Sequence, residues 1–249
     1  DVQRIVIDPS SPSDNRTLYA GFKVWTAPGL CGVYKSNDGG ATWRESSEGL
    51  GADALVNELI LDPSRPRILY AGACASPWQD GINGLFKTSD GGANWTRLAP
   101  DRISGVMTRA VTLCAAHPDT LYAAAFPPAA RVPLDGIRTL FRSDDGGATW
   151  RALCTDTLAS VAVNPVDPNW VYIARPYPVS EQHQAAGVIF RSKDGGETWQ
   201  AIDDDAIPSG PIETNRTSLS VDPCDPRRLI VYTAYGLWIG FDPEAPGAQ

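Results

Sequence analysis

Short runs in which apolar and polar residues alternate recur along the chain, each followed by an Asp-Pro turn or a variant of it. These turns are Asp8-Pro9, Asp62-Pro63, His117-Pro118, Asn164-Pro165 and Asp222-Pro223. Behind each comes a second apolar run built around a tyrosine: Tyr19, Tyr70, Tyr122, Tyr172 and Tyr232. Alternation with a period of two, bounded by turn residues, predicts half-buried β-strands. One full unit reads strand, Asp-Pro turn, tyrosine strand, long loop, third strand, tight hairpin and a last strand. The strands are termed A to D.

The tight hairpin has a signature of its own. Ser36-Asn37-Asp38-Gly39-Gly40-Ala41-Thr42-Trp43 returns as Thr88–Trp95, Ser143–Trp150 and Ser192–Trp199. The tryptophans therefore recur about every fifty residues, a period expected of propeller blades. Asp38, Asp90, Asp145 and Asp194 can accept the N–H groups of their own turns. The glycine pairs supply positive φ. Trp43, Trp95, Trp150 and Trp199 anchor the hairpins with a large apolar ring and one donor. The plain reading of these eight residues is structural.

On these residues the chain resembles the Asp-box, or bacterial neuraminidase repeat, propellers, whose motif is Ser-x-Asp-x-Gly-x-Thr-Trp. Three copies match in full; the second has Thr88 for Ser and Asn94 for Thr. The resemblance is closest to the branch containing photosystem II assembly factors, sortilin-type ectodomains and xyloglucan-hydrolysing endoglucanases. It implies an all-β propeller of about five four-stranded blades with Asp-box hairpins. Blades are expected near 1–48, 54–98, 108–153, 158–202 and 216–241, in one domain, with 242–249 as a tail. The fifth unit has no octapeptide, so its strand D is expected to be missing. A five-bladed ring is favoured over a part of a larger one.

Composition refines this picture. The 23 glycines and 21 prolines among 249 residues suit turn-rich sheet. No stretch of eighteen apolar residues offers a membrane helix. A net charge of −8 argues against nucleic acid, since phosphate binding needs a positive field. Asp1 in place of a starting Met reads as a processed or trimmed N-terminus, and the chain is expected outside the cytoplasm.

Strand order puts the Asp-Pro turns and octapeptides at one end of each blade, and the B–C and D–A loops at the other. Length varies at the loop end, and function resides in variable loops on a rigid scaffold. The candidate ligand-binding residues there are Trp25, Trp78, Asp80, Arg131, Asp135, Arg138, Arg175 and Tyr177. Trp25, Trp78 and Tyr177 offer faces for sugar rings or for a protein partner. Arg109, Arg131, Arg138 and Arg175 offer forks for an anion.

A glycosidase needs two carboxylates flanking the scissile bond. Asp53, Asp80, Asp101, Asp135 and Glu213 are the candidates, and nothing in the sequence selects a pair. A sialidase fits less well: the family's Arg-Ile-Pro segment is here Arg4-Ile5-Val6. His117 and His183 stand in no zinc-ligand pattern, and Asp203-Asp204-Asp205 reads as a solvated loop. No cofactor or metal is expected. Cys31 and Cys74 are placed so that a bridge is conceivable, and Cys114 reads as simply buried. The favoured function is a non-catalytic scaffold binding a protein partner at the loop end. The alternatives are a carbohydrate-binding propeller and a glycoside hydrolase.

Overall fold

The computed structural model of the chain describes residues 2–23, 31–51, 53–74, 84–98, 108–125, 137–158, 160–175, 188–202, 218–233 and 236–247. The architecture is an all-β propeller of five antiparallel blades. Blade 1 holds β1 (Val2–Ile7), β2 (Leu18–Phe22), β3 (Gly32–Ser36) and β4 (Arg44–Glu45). Blade 2 holds β5 (Leu55–Leu61), β6 (Leu69–Cys74), β7 (Gly84–Thr88) and β8 (Thr96–Arg97). Blade 3 holds β9 (Thr108–Leu113), β10 (Leu121–Ala125), β11 (Ile137–Ser143) and β12 (Arg151–Thr157). Blade 4 holds β13 (Ser160–Val163), β14 (Val171–Arg175), β15 (Val188–Ser192) and β16 (Gln200–Ala201). Blade 5 has three strands, β17 (Ser218–Val221), β18 (Arg228–Thr233) and β19 (Gly236–Phe241). Among the described residues there is no helix.

The chain divides into two compact units, Asp1–Val111 with Gly147–Trp150, and Thr112–Gly146 with Arg151–Gln249. The core of the first gathers Tyr19, Val33, Leu50, Val56, Leu59, Leu69, Phe86 and Trp95. The core of the second includes Trp170, Tyr172, Ile189, Leu219, Leu229 and Val231. In each, the apolar alternation read from the sequence delivers one side of a blade to its neighbour.

The A–B turns of blades 2 to 5 are fixed by one recurring bond, from the N–H of the turn's first residue to the carbonyl six positions on; in the longer blade 1 turn Asp8 N reaches Thr17 O. Asp62 N donates to Ile68 O, Asn164 N to Trp170 O and Asp222 N to Arg228 O. The first residue's side chain caps the turn: Asp62 Oδ1 accepts from Ser64 N at 2.9 Å and Asn164 Oδ1 from Val166 N at 2.9 Å. This register corrects two expectations. In blade 3 the bond is Cys114 N to Thr120 O, so Cys114, not His117, holds the Asp position; its thiol donates to Pro165 O. In blade 5 Ile230 stands at the register of Tyr70, opposite Ile239, while Tyr232 is two residues further on and exposed.

Each octapeptide is tied together by its own side chains. Ser36 Oγ donates to Asp38 Oδ1 at 2.7 Å and accepts from Gly40 N at 2.8 Å. Thr42 N reaches Asp38 Oδ1 at 2.8 Å, and Thr42 Oγ1 bonds the other carboxylate oxygen. The variant second copy keeps the links to its aspartate, Thr88 Oγ1 to Asp90 Oδ1 at 2.7 Å and Asn94 Nδ2 to Asp90 Oδ2 at 2.9 Å, while Trp95 Nε1 donates outside the hairpin, to Ser46 O. In the third copy Ser143 Oγ donates to Asp145 Oδ1 at 2.8 Å, accepts from Asp145 N at 3.4 Å, and Trp150 Nε1 closes onto Gly147 O at 2.9 Å. The fourth repeats the first bond, from Ser192 Oγ to Asp194 Oδ1 at 2.7 Å. Asp145 thus occupies the same place in its hairpin as Asp38, Asp90 and Asp194 do in theirs.

Both glycines of each copy lie at positive φ, 70° and 93° in the first, which explains why the pair is glycine. Hydrogen bonds from the Thr side chain hold Asp38 and Asp194 down at about 2. The Asn94 side chain does the same for Asp90, more strongly.

A third repeated device joins blades. The B-strand tyrosine and the C-strand cation directly opposite it reach the turn end of the next blade. Tyr19 Oη and Lys35 Nζ donate to the Gly91 carbonyl at 3.2 and 3.1 Å, with the ammonium 5.0 Å from the ring centre. Tyr122 Oη donates to Pro168 O at 2.8 Å, and Arg142 Nη1 to Asn169 Oδ1 at 2.9 Å. Burial pushes the Tyr122 hydroxyl up to about 12, against the pull of Arg142. In the blade 4–blade 5 joint Tyr172 Oη and Arg191 Nη1 donate to Asp242 at 2.9 and 2.6 Å. Asp242 is buried and Pro246 O accepts from Asn164, so the segment after β19 is packed onto blade 4, where the sequence reads as a tail.

Candidate functional site

At the loop end of unit 1, strands A and B bring polar side chains together from segments far apart in sequence. Bulges at Gln3 and Asn57 break the β1–β2 and β5–β6 registers just ahead of Arg4 and Glu58, and such bulges re-aim side chains. Arg4 Nε and Nη2 donate to the buried Glu58 carboxylate at 2.5 and 3.1 Å, and Leu59 N adds a bond at 3.3 Å. Burial pushes the Glu58 carboxyl up, and Arg4 pulls it back down. Beside this pair Lys23 Nζ donates to Asn57 Oδ1 at 2.8 Å, and Asn57 Nδ2 reaches Cys74 Sγ at 3.3 Å. Cys31, Leu55 and Cys74 form one buried cluster. All five cysteines are among the described residues, and none forms a disulfide.

Next to this cluster a cavity of about 510 Å³ opens between the D–A connection of blade 1 and the octapeptide of blade 2. Its walls include Cys31, Glu45 to Gly49, Asp53 and Gly92. The connection is built onto the hairpin: Ser46 Oγ donates to Gly92 O at 2.7 Å, Trp95 Nε1 to Ser46 O at 2.8 Å, and Trp95 N to Glu48 O at 2.8 Å. Gly49, at φ 90°, lies so close that a Cβ would stand 2.2 Å from Trp95 O. Asp53 is the non-glycine residue with positive φ among those described, at 55°. Carboxylates and main-chain groups on such a wall suit a polyhydroxylated ligand, whose hydroxyls both donate and accept.

Of the residues singled out in the sequence, Asp53 lines this cavity. Arg175 ends β14 in unit 2, its guanidinium 4.8 Å from the centre of the Phe190 ring. Arg138 lies in β11 opposite Asp156 and Arg109 lies in β9; their side chains are outside those described. Trp25, Trp78, Asp80, Asp101, Arg131, Asp135, Tyr177 and Glu213 lie outside the described residues. Glu45, Glu48, Glu58 and Lys23 were not distinguishable in the sequence. Lys23 and Glu58 carry a signal only in hindsight, as charges at positions where the strand pattern calls for burial. Among the described residues no cluster of three potential metal ligands occurs, and no helix is long and apolar enough to cross a membrane.

The BNR/Asp-box repeat matches residues 190–201, which take in the fourth octapeptide. Xyloglucanase Xgh74A of Acetivibrio thermocellus is 38% identical over 177 residues, covering 61% of this chain and 20% of that protein. A xyloglucanase of a Paenibacillus species is 25% identical over 154 residues, 49% of this chain and 13% of its own length. Among solved structures, a GH74 enzyme of Niastella koreensis matches with a TM-score of 0.71 at 22% identity, over 98% of this chain and 37% of that one. This chain thus spans a fifth or less of the curated relatives. At 22% identity the structural likeness establishes the fold alone. Repeat, blades and hairpin geometry agree: the chain is an Asp-box β-propeller.

Proposed function

We propose that this chain is the glycan-binding part of a carbohydrate-active propeller, and that its ligand is a β-glucan of the xyloglucan type. The observation that carries this reading is the 38% identity to a xyloglucanase across 61% of the chain. It displaces the protein-binding scaffold favoured by the sequence alone. Trp25, Trp78 and Tyr177 supply apolar faces for sugar rings, and the walls around Glu45 and Asp53 supply acceptors for hydroxyls. A polysaccharide ligand fits a location outside the cytoplasm.

Affinity electrophoresis in gels containing xyloglucan, with a sialylated glycan as control, tests this. Xyloglucan retards the protein and the control does not. Replacing Trp25 and Trp78 together by Ala weakens binding at least about tenfold, roughly 1.4 kcal/mol, at an unchanged thermal midpoint. Equal mobility in both gels overturns the proposal. Chromatography of xyloglucan digests then separates binding from hydrolysis, which requires a facing pair of carboxylates.

A further inference from the structure

The seam between blades 1 and 2 brings two thiols together. Cys31 immediately precedes β3, and Cys74 ends β6. They belong to different blades, yet with Leu55 they form a single buried cluster. Leu55 stands opposite Cys74 in the β5–β6 register, so the two side chains share one face of blade 2, and Cys31 of blade 1 packs against that face. Both are thiols. The remaining cysteines stand apart. Cys114 opens an A–B turn in unit 2 and donates to Pro165 O, Cys154 lies in β12, and Cys224 is exposed in the A–B turn of blade 5.

The two thiols differ in what can reach them. Cys31 forms part of the wall of the cavity of about 510 Å³ and is 7% exposed. Cys74 is closed off, at 0%. Asn57 Nδ2 points at the Cys74 sulfur at 3.3 Å, and the Lys23 ammonium lies 2.8 Å from the oxygen of the same amide. An N–H aimed at sulfur stabilises the thiolate, which is the form that attacks. Glu45, Glu48 and Asp53 line the same cavity as Cys31 and make its wall negative. A small molecule in the cavity therefore meets one thiol, and the second waits behind it.

We propose that Cys31 and Cys74 are a redox pair, which a small cationic disulfide entering the cavity converts into a bond between blades 1 and 2. The Cys31 thiolate attacks one sulfur of the small disulfide. A mixed disulfide forms, and the other half leaves as a thiol carrying the proton that Cys31 gave up. The Cys74 thiolate then attacks Cys31 Sγ. The protein disulfide forms, and the second half leaves as a thiol with the proton of Cys74. The two protein thiols lose two electrons, and the small disulfide takes up both. Positive charge on that disulfide matches the carboxylates of the wall. The bond acts through chain order: Cys31 directly follows residues 24–30, and Cys74 directly precedes residues 75–83, the segments that carry Trp25 and Trp78. It ties the roots of these two B–C loops to each other and closes the chain between them into a ring, which restricts the unfolded chain. Such a bond persists in an oxidising compartment.

Incubation of the folded chain with cystamine, an acid quench and mapping of the non-reduced peptides test the proposal. The peptides of Cys31 and Cys74 are expected to be linked to each other, with the loss of both free thiols and full reversal by dithiothreitol. Cys224, exposed and alone, acquires only the small thiol. In Cys74→Ser the mixed disulfide accumulates on Cys31. In Cys31→Ser the Cys74 thiol stays free, because it is reached only through its partner. A Cys31 that keeps the small thiol in the unmodified chain overturns the proposal, and so does a Cys31 that does not react at all. Linkage of either cysteine to a different one, or a Cys74 that reacts in Cys31→Ser, overturns it equally. Thermal melts of the reduced variants confirm folding; should either melt early, alanine at the same position repeats the test.

Discussion

Leu59 and Ile5 hold the same register on the inner strands of adjacent blades, one buried and the other open. Their local sequences are near copies, Ile-Val-Ile-Asp-Pro and Leu-Ile-Leu-Asp-Pro. The strand pattern therefore encodes a demand for a neighbour, and whether a neighbour answers it is decided elsewhere. The same contrast separates blade 4, whose tyrosine and arginine are buried on Asp242, from blade 5, whose matching pair is Ile230 and Ile239.

The contrast can be broken most severely at Asp242. Asp242→Ala takes from the buried Tyr172 hydroxyl its acceptor and from the Arg191 guanidinium the buried one of its two carboxylate partners, leaving Glu244 at 2.8 Å. Removing one partner of a buried pair costs about 3 kcal/mol or more, read as a lower midpoint in urea. Next comes Leu59→Ala, expected to cost about 2–4 kcal/mol because the vacated volume is enclosed. Ile5→Ala, its counterpart, falls within about 1 kcal/mol. Equal losses at both positions would erase the distinction between covered and open faces. Tyr19→Phe removes one bond to Gly91 while Lys35 keeps its own, a loss of about 1 kcal/mol.

The smallest effect is on acid stability. Asp38 and Asp194 are held at about 2 in the folded chain, below the usual carboxylate value of about 3.9. A lowered folded value contributes stability that is fully present above the unfolded value and lost as pH falls through about 2. Thermal midpoints are therefore expected to fall between roughly pH 4 and 2. Asp38→Asn, measured over the same range, should flatten that fall slightly, since the group is exposed and screened.

The elements legible in the sequence are those in which the main chain itself demands particular residues. An octapeptide hairpin needs its carboxylate, hydroxyl and glycines at fixed offsets, so four blades announce themselves. Where the demand is looser the register slips: Cys114 opens its turn with a thiol that donates to Pro165 O, and the neighbouring His117-Pro118 imitates the signal. Tyr232 imitates the tyrosine position in the same way, two residues from the true one. Asp242 reads as a turn former because its partners, Tyr172 and Arg191, are 70 and 51 residues away. Glu45 and Glu48 carry no periodicity at all, and only folding places them on one cavity wall with Asp53.

The grip between blades has a consequence for how such a chain can change over generations. Tyr19 and Tyr122 do not bind particular side chains on the next blade but the carbonyls of Gly91 and Pro168. One belongs to an octapeptide and the other to an A–B turn, and either kind of turn presents main-chain carbonyls whatever residues have drifted into it. A blade duplicated, inserted or lost in one genetic event therefore meets neighbours that already hold what it needs, and no second mutation has to arise to make the new seam.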